Sequence, residues 1–296
     1  MFSMHTKQTR AIFFAVLAAA LYAINAPVSK LLLAHVPASM MAALLYLGAG
    51  SGIFLVGLVQ KRAGRGEKEL PLTRKELPYT LAMVGLDIAA PIFLMIGLTT
   101  TSAASASLLN NFEIVATSIL ALAVFKEAVS PRLWGAIALV TLSSILLSVE
   151  DLGSLSFSFG SLFVLLACVC WGFENNCTRM LSSKNPLEIV VIKGFGSGAG
   201  ALIVALINGE RFAHWTAALA ALLLGFVAYG LSILFYIYAQ RDLGAAKTST
   251  YYALAPFIGV VLSLLLFREL PNLSFLTALV LMIAGTYLAS TDTGGN

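Results

Sequence analysis

The sequence predicts an all-α membrane protein: ten transmembrane helices arranged as two inverted five-helix repeats. Three observations carry this prediction: an apolar composition, ten hydrophobic runs of spanning length, and a segment that recurs in register. The chain is 59% hydrophobic and 11% charged, with a mean hydropathy of +0.92. A soluble domain carries about a quarter charged residues, so this is more apolar sequence than one water-facing fold can bury.

The recurrence lies at an offset of 142, where residues 93–127 overlay residues 235–269 without a gap. Phe93 meets Phe235, Ala103-Ala104 meet Ala245-Ala246, and Ser107 meets Ser249. Leu120 and Leu122 meet Leu262 and Leu264, and Phe125-Lys126-Glu127 meet Phe267-Arg268-Glu269. The front halves match at slightly different offsets. Phe14, Leu17, Ala18, Tyr22, Ser29 and Lys30 fall on Phe163, Leu166, Ala167, Trp171, Thr178 and Arg179. The chain is thus built twice, as residues 1–149 and 150–296, and duplication dictates the architecture. Five spans are an odd number, so the second set enters the membrane from the opposite side. Inverted repeats of this kind characterise many secondary transporters, whose sites lie near the midplane between the halves.

The expected spans are 11–32, 39–60, 77–98, 103–124, 133–149, 160–181, 187–208, 217–238, 246–267 and 273–290. About 20 helical residues cross the hydrocarbon core. The first run is too long for a typical signal-peptide apolar region and offers no convincing small-residue cleavage site before Pro27, so it counts as a span. The second carries Gly48 and Gly52, the seventh Gly196 and Gly200. This four-residue spacing lets two membrane helices approach closely. The third holds Asp87 and Pro91, the fourth Asn110, Asn111 and Glu113. All three cysteines (Cys168, Cys170, Cys177) fall in the sixth span, which reads as packing and not as a disulfide framework. Tyr229 lies in the eighth span, Tyr251 and Tyr252 one turn into the ninth. No G-x-x-x-x-G-K-[ST] element is present to bind a nucleotide.

Lys and Arg set the orientation. With the N-terminus in the cytoplasm, fourteen fall on the inner side and three on the outer (Lys30, Arg211, Arg268), with Lys193 inside a span. Both termini are therefore expected to be cytoplasmic, with the 61–76 loop inside and the 150–153 loop outside. The net charge of +4 resides in loops, where it reports topology and not nucleic-acid binding.

Ionisable side chains within a bilayer are costly, usually face a cavity, and so are functional candidates. Asp87, Glu113, Glu174 and Lys193 qualify. At 1.5 Å per residue Glu113 lies about 15 Å into its span, with Asp87 about as deep. Glu174 and Lys193 lie on the order of 10 Å from the cytoplasmic ends of theirs. The amides of Asn25, Asn110, Asn111, Asn175 and Asn176 and the rings of Tyr22, Trp171, Tyr229, Tyr251 and Tyr252 accompany them; such rings can hold a cation. The binding or coupling set read here is Asn25, Asp87, Asn110, Asn111, Glu113, Trp171, Glu174, Lys193, Tyr229 and Tyr252. Within it, Asn25, Asp87, Asn111, Glu113, Trp171, Glu174 and Tyr229 are expected to be exposed to a cavity between the first, third, fourth, sixth, eighth and ninth spans. Plainer roles stand beside these. Lys193 could snorkel to the headgroups or pair with Glu174, and Asp87 could cap a helix break near Pro91. Glu113, with Asn110 three residues before it on the same face, is the candidate proton- or cation-binding carboxylate.

Three elements together resemble a known family. They are the duplicated unit, the stretches Leu21-Tyr22-Ala23-Ile24-Asn25-Ala26-Pro27 and Cys170-Trp171-Gly172-Phe173-Glu174-Asn175-Asn176, and a fourth-span pattern of small, then polar, then apolar residues ending in Phe-Lys/Arg-Glu. Over nearly its whole length the chain resembles the ten-span EamA-type members of the drug/metabolite transporter superfamily. It departs from their common pattern with Tyr22-Ala23 in place of Trp-Gly, and with Glu174 in place of a neutral residue. The resemblance implies a helical basket with a central cavity that works by alternating access, often exporting amino acids or other small metabolites. The expected location is a bacterial or archaeal plasma membrane; the expected partners are a small-molecule substrate and, through Glu113, protons, with a monomer or homodimer and no cofactor. The competing class is a non-transporting receptor or assembly protein on a transporter-like fold. An enzyme is not expected, because the three histidines lie outside the spans and no catalytic or metal-binding spacing occurs.

Overall fold

Apolar runs that must satisfy their own backbone in lipid become helices. The computed structural model describes residues 2–62, 70–125, 130–151, 156–181, 183–212, 214–243, 248 and 251–291. It is helical apart from turns and one short antiparallel pairing of β1 (Val149–Asp151) with β2 (Ser156–Phe157). Among the described residues, eight helices are long and apolar enough to cross a membrane. These are Lys7–Leu32, Ala38–Arg62, Arg74–Thr100, Pro131–Ser148, Phe159–Thr178, Pro186–Ile207, Trp215–Ala239 and Leu273–Ser290. Residues 63–69 of the 61–76 loop and residues 152 and 153 of the 150–153 loop lie outside the described residues.

The two other expected spans are interrupted where continuity was anticipated. The segment expected at 103–124 is α5 (Ala103–Leu109) followed by α6 (Phe112–Phe125), with a turn at Asn110 and Asn111. Asparagine side chains compete for backbone groups and disfavour helix interiors; here Asn111 Nδ2 donates to the Leu108 carbonyl at 3.2 Å. In the segment expected at 246–267, Tyr251 and Tyr252 are helical and a turn follows before α12 (Ala255–Phe267). Pro256 forces that restart, since it cannot donate to the carbonyl four residues back. The same logic splits the first span into α1 (Phe2–Ala23) and α2 (Asn25–Leu32), because Pro27 leaves the Ala23 carbonyl without an N–H. Helix α4 (Leu77–Thr100), in contrast, runs straight through Pro91. The eighth span joins α10 (Trp215–Leu224) to α11 (Ser232–Leu243) through a π-helical stretch, Gly225–Leu231, that carries Tyr229.

Packing pairs the helices across the two halves. Helix α3 (Ala38–Arg62) lies along α9 (Pro186–Ile207), α4 along α8 (Phe159–Leu181), and α1 along α11. Helix α5 meets α12, and α7 (Pro131–Ser148) meets α13 (Leu273–Ser290). Glycine permits the closest of these approaches. A Cβ added at Gly48 would stand 2.0 Å from the Leu222 carbonyl oxygen, and one at Gly225 would stand 1.9 Å from that of Leu45. The α3–α9 crossing uses Gly50 and Gly194 in the same way, while Gly196 and Gly200 of α9 receive Val84 and Ile88 of α4. Of the four glycines at the spacing read in the sequence, Gly48 meets backbone, whereas Gly52, Gly196 and Gly200 make room for the side chains of Phe226, Val84 and Ile88.

Candidate functional site

Three helices bring their charged residues to one place. Asp87 is on α4, four residues before Pro91 and on the same face; Glu174 is on α8, and Lys193 on α9 one residue before the glycine that meets α3. Lys193 Nζ stands 3.0 Å from Asp87 Oδ2 and 2.9 Å from Glu174 Oε1. All three are buried, Asp87 completely. Asp87 Oδ1 accepts from the Tyr46 hydroxyl of α3 at 2.8 Å, and Glu174 Oε1 accepts from Thr178 one turn away. A buried charge needs both a counter-charge and hydrogen bonds, and this cluster supplies both.

A second arm runs from Tyr46 through the aromatic rings. Tyr46 and Tyr229 have centroids 5.1 Å apart, and the Tyr229 hydroxyl accepts from Asn25 Nδ2 at 3.1 Å. Ser29, one turn on, donates to Asn25 Oδ1 at 3.0 Å. Tyr22 follows, 5.9 Å from Tyr229 and 6.0 Å from Tyr252, and Tyr236 lies 5.0 Å from Tyr252. The π-helical stretch offsets Tyr229 from regular helical spacing, a feature often found where a side chain has a specific task.

Glu113 opens the third arm. In the first turn of α6, its Oε1 accepts from Asn175 Nδ2 of α8 at 2.5 Å, and both residues are half-buried. Tyr22 and Tyr252, also half-buried, lie within its electrostatic reach, as do Glu174 and Lys193. Behind this arm a cavity of about 10 Å³ is bordered by Tyr22, Asn25, Ser107, Asn110 and Gly259, at the breaks of the first, fourth and ninth apolar segments. Ser107 Oγ and Asn110 Oδ1 are buried there without a protein partner. The cysteine beside this break, Cys168, directs its thiol at the carbonyls of Leu109 and Asn110.

Several sequence expectations change in this light. Lys193 does not snorkel; it bridges two acids. Asp87 caps no break, because α4 continues and its carboxylate is held by Tyr46 and Lys193. Glu113 takes Asn175 as its partner and not Asn110, whose side chain the α5–α6 turn aims elsewhere. Asn111 accepts from Thr286 of α13 at 3.4 Å, away from the charged cluster. Of the residues expected to be exposed to a cavity, Asp87, Asn111, Trp171, Glu174 and Tyr229 are buried among protein groups, Asn25 is buried but borders the small cavity at the helix breaks, and only Glu113 keeps appreciable surface. Tyr252 is half-buried and lies 3.4 Å from the Ser232 hydroxyl. Sequence reasoning missed Tyr46. Its signal was available, as the one tyrosine at mid-depth of an otherwise apolar second span.

The sequence profile of the EamA-like transporter family matches residues 9–149 and again 158–291. An uncharacterized transporter of Methanothermobacter thermautotrophicus is 24% identical over 283 residues, covering 90% of this chain and 82% of that protein. An uncharacterized transporter of Bacillus subtilis strain 168, YyaM, is 23% identical over 259 residues, covering 82% and 81%. A solved crystal structure superposes with a TM-score of 0.68 over 94% of this chain and 95% of its own, at 18% identity, which speaks to fold alone.

Proposed function

The chain belongs to the EamA-like transporter family, and from that premise we propose that it is a ten-span secondary transporter. It exports a small metabolite of amino-acid size by alternating access. Residues 1–149 and 150–296 form two inverted five-helix halves that rock about the glycine-lined crossings of α3 and α9. The packing supports this reading, because exchanging the halves maps one contact onto another. The third span against the sixth (α4 on α8) becomes the eighth against the first (α11 on α1), while α3–α9, α5–α12 and α7–α13 map onto themselves.

The observation that carries the functional reading is the buried group of Asp87, Lys193 and Glu174, with Glu113 beside it. A purely structural bundle gains nothing from acids placed in an apolar interior, where they are expensive. In a transporter they bind what crosses. Glu113 is the coupling carboxylate, since its hydrogen-bond partner is the neutral amide of Asn175 and it alone of the three acids keeps accessible surface. It releases a proton or cation towards one side and is reloaded from the other.

The test is gradient-driven accumulation in proteoliposomes. Wild-type protein is expected to concentrate substrate against a gradient when a pH difference is imposed, and Glu113→Gln to lose that accumulation. Accumulation by the variant at the wild-type rate removes Glu113 from coupling. A wild-type protein that binds ligands but moves none assigns the chain to the receptor class instead.

A further inference from the structure

Building on the transporter reading, we infer that the substrate is an organic cation: a small amine with an apolar or aromatic body and no carboxylate of its own. The charge inventory of the interior is the first ground. Among the described side chains, three carboxylates (Asp87, Glu174, Glu113) gather around one ammonium, Lys193. That ammonium is already shared, at 3.0 Å and 2.9 Å, between Asp87 and Glu174. Glu113 holds only a neutral amide, at 2.5 Å. An ionised acid within the bilayer calls for a cationic partner, and the protein commits its nearby lysine elsewhere.

The second ground is the aromatic surround. Tyr22 and Tyr252 are half-buried within electrostatic reach of Glu113 and 6.0 Å from each other, with Tyr236 5.0 Å from Tyr252 and Tyr229 behind at 5.9 Å from Tyr22. Their planes differ by 37° to 74°, so the rings are tilted or edge-on to one another and not stacked face to face. An ammonium within about 6 Å of a ring centroid is attracted by the ring face, and clustered rings form cages for such ligands. A carboxylate placed there would instead meet Glu113 and ring faces of its own sign of potential, while the Lys193 ammonium is doubly engaged. Charge and aromatic geometry therefore select against free amino acids and for their decarboxylated counterparts.

The experiment compares matched probes on the full-length protein in detergent and in proteoliposomes: 2-phenylethylamine, phenylalanine and 3-phenylpropionate, with agmatine and tetraethylammonium widening the cation set. At least one cation is expected to bind about tenfold more tightly than its carboxylated analogue. Glu113→Gln should weaken cation binding on the order of thirtyfold, as expected for removing one member of a buried charge pair. Tyr22→Leu should weaken it about threefold to tenfold and Tyr22→Phe much less, because Phe keeps the ring face. These tyrosine variants keep the question open to measurement if Glu113→Gln fails to fold. Tighter binding of phenylalanine or phenylpropionate than of phenylethylamine overturns the inference. So does the absence of binding by every cation tested, or cation binding indifferent to both Glu113 and Tyr22. Transport of carboxylated compounds alone sinks the cation assignment and leaves the transporter reading standing. Cation binding without movement across the proteoliposome membrane does the reverse.

Discussion

Replacing Lys193 by Met removes the one ammonium that joins three helices. Its Nζ lies 3.0 Å from Asp87 and 2.9 Å from Glu174, each residue less than a tenth exposed. Methionine preserves the stem volume, so the loss is electrostatic: two acids are left facing each other without a counter-charge. Removing one member of a buried ionic group typically costs about 3–5 kcal/mol. For a chain of this size that corresponds to a fall in melting temperature on the order of 5–10 °C. Fluorescence-monitored melting of the detergent-solubilised protein reads it directly. The cost arises from uncompensated charge and not from lost contacts. Adding Asp87→Asn and Glu174→Gln to Lys193→Met should therefore recover most of it, since Tyr46 and Thr178 remain to hydrogen-bond the amides. A single Lys193→Met variant that melts within about 1 °C of wild type would refute the reasoning. It would mean that the ammonium spends its time at the headgroups, as an unpaired lysine stem of this length can.

Other outcomes follow from individual contacts. Tyr46→Phe leaves Asp87 Oδ1 without its 2.8 Å donor and should destabilise by about 1–3 kcal/mol, measured in the same melt. Gly48→Ala drives a methyl to within 2.0 Å of a backbone oxygen, whereas at Gly85 nothing lies within 4 Å. The first should cost about 1–3 kcal/mol by overpacking, while Gly85→Ala should be neutral or slightly stabilising through helix propensity; equal melting of the two would count against the α3–α10 crossing. In a cysteine-free background, a thiol introduced at the exposed Leu70 should label from the cytoplasm, and one at Leu270, 94% exposed, from outside. Labelling of both from one side would break the inverted-repeat topology.

Composition and periodicity alone determined the membrane class and the positions of most helices, because both depend on where apolar residues lie along the chain and not on what they touch. The glycine pairs were legible for a related reason: side chains missing four residues apart on a membrane helix leave a groove into which a neighbouring helix fits, here with the backbone at Gly48 and with side chains at Gly52, Gly196 and Gly200. The acids at depth were legible too, as any ionisable group in an apolar run stands out. Their partners were not. Asp87, Glu174 and Lys193 lie on α4, α8 and α9, and only the crossing of those helices decides that one ammonium serves both carboxylates. The same holds for Glu113, whose near neighbour in sequence, Asn110, is turned away by the break between α5 and α6, leaving Asn175 on another helix to meet it. Tyr46 stood out as a lone tyrosine in its span, but a tyrosine in a membrane helix is ordinarily a packing residue, and its hydroxyl acquires a role only when Asp87 stands opposite. Hydrophobicity is a property of each residue, and so the sequence carries it. Charge compensation in a low-dielectric interior is a property of distances between helices, and those exist only in the folded bundle.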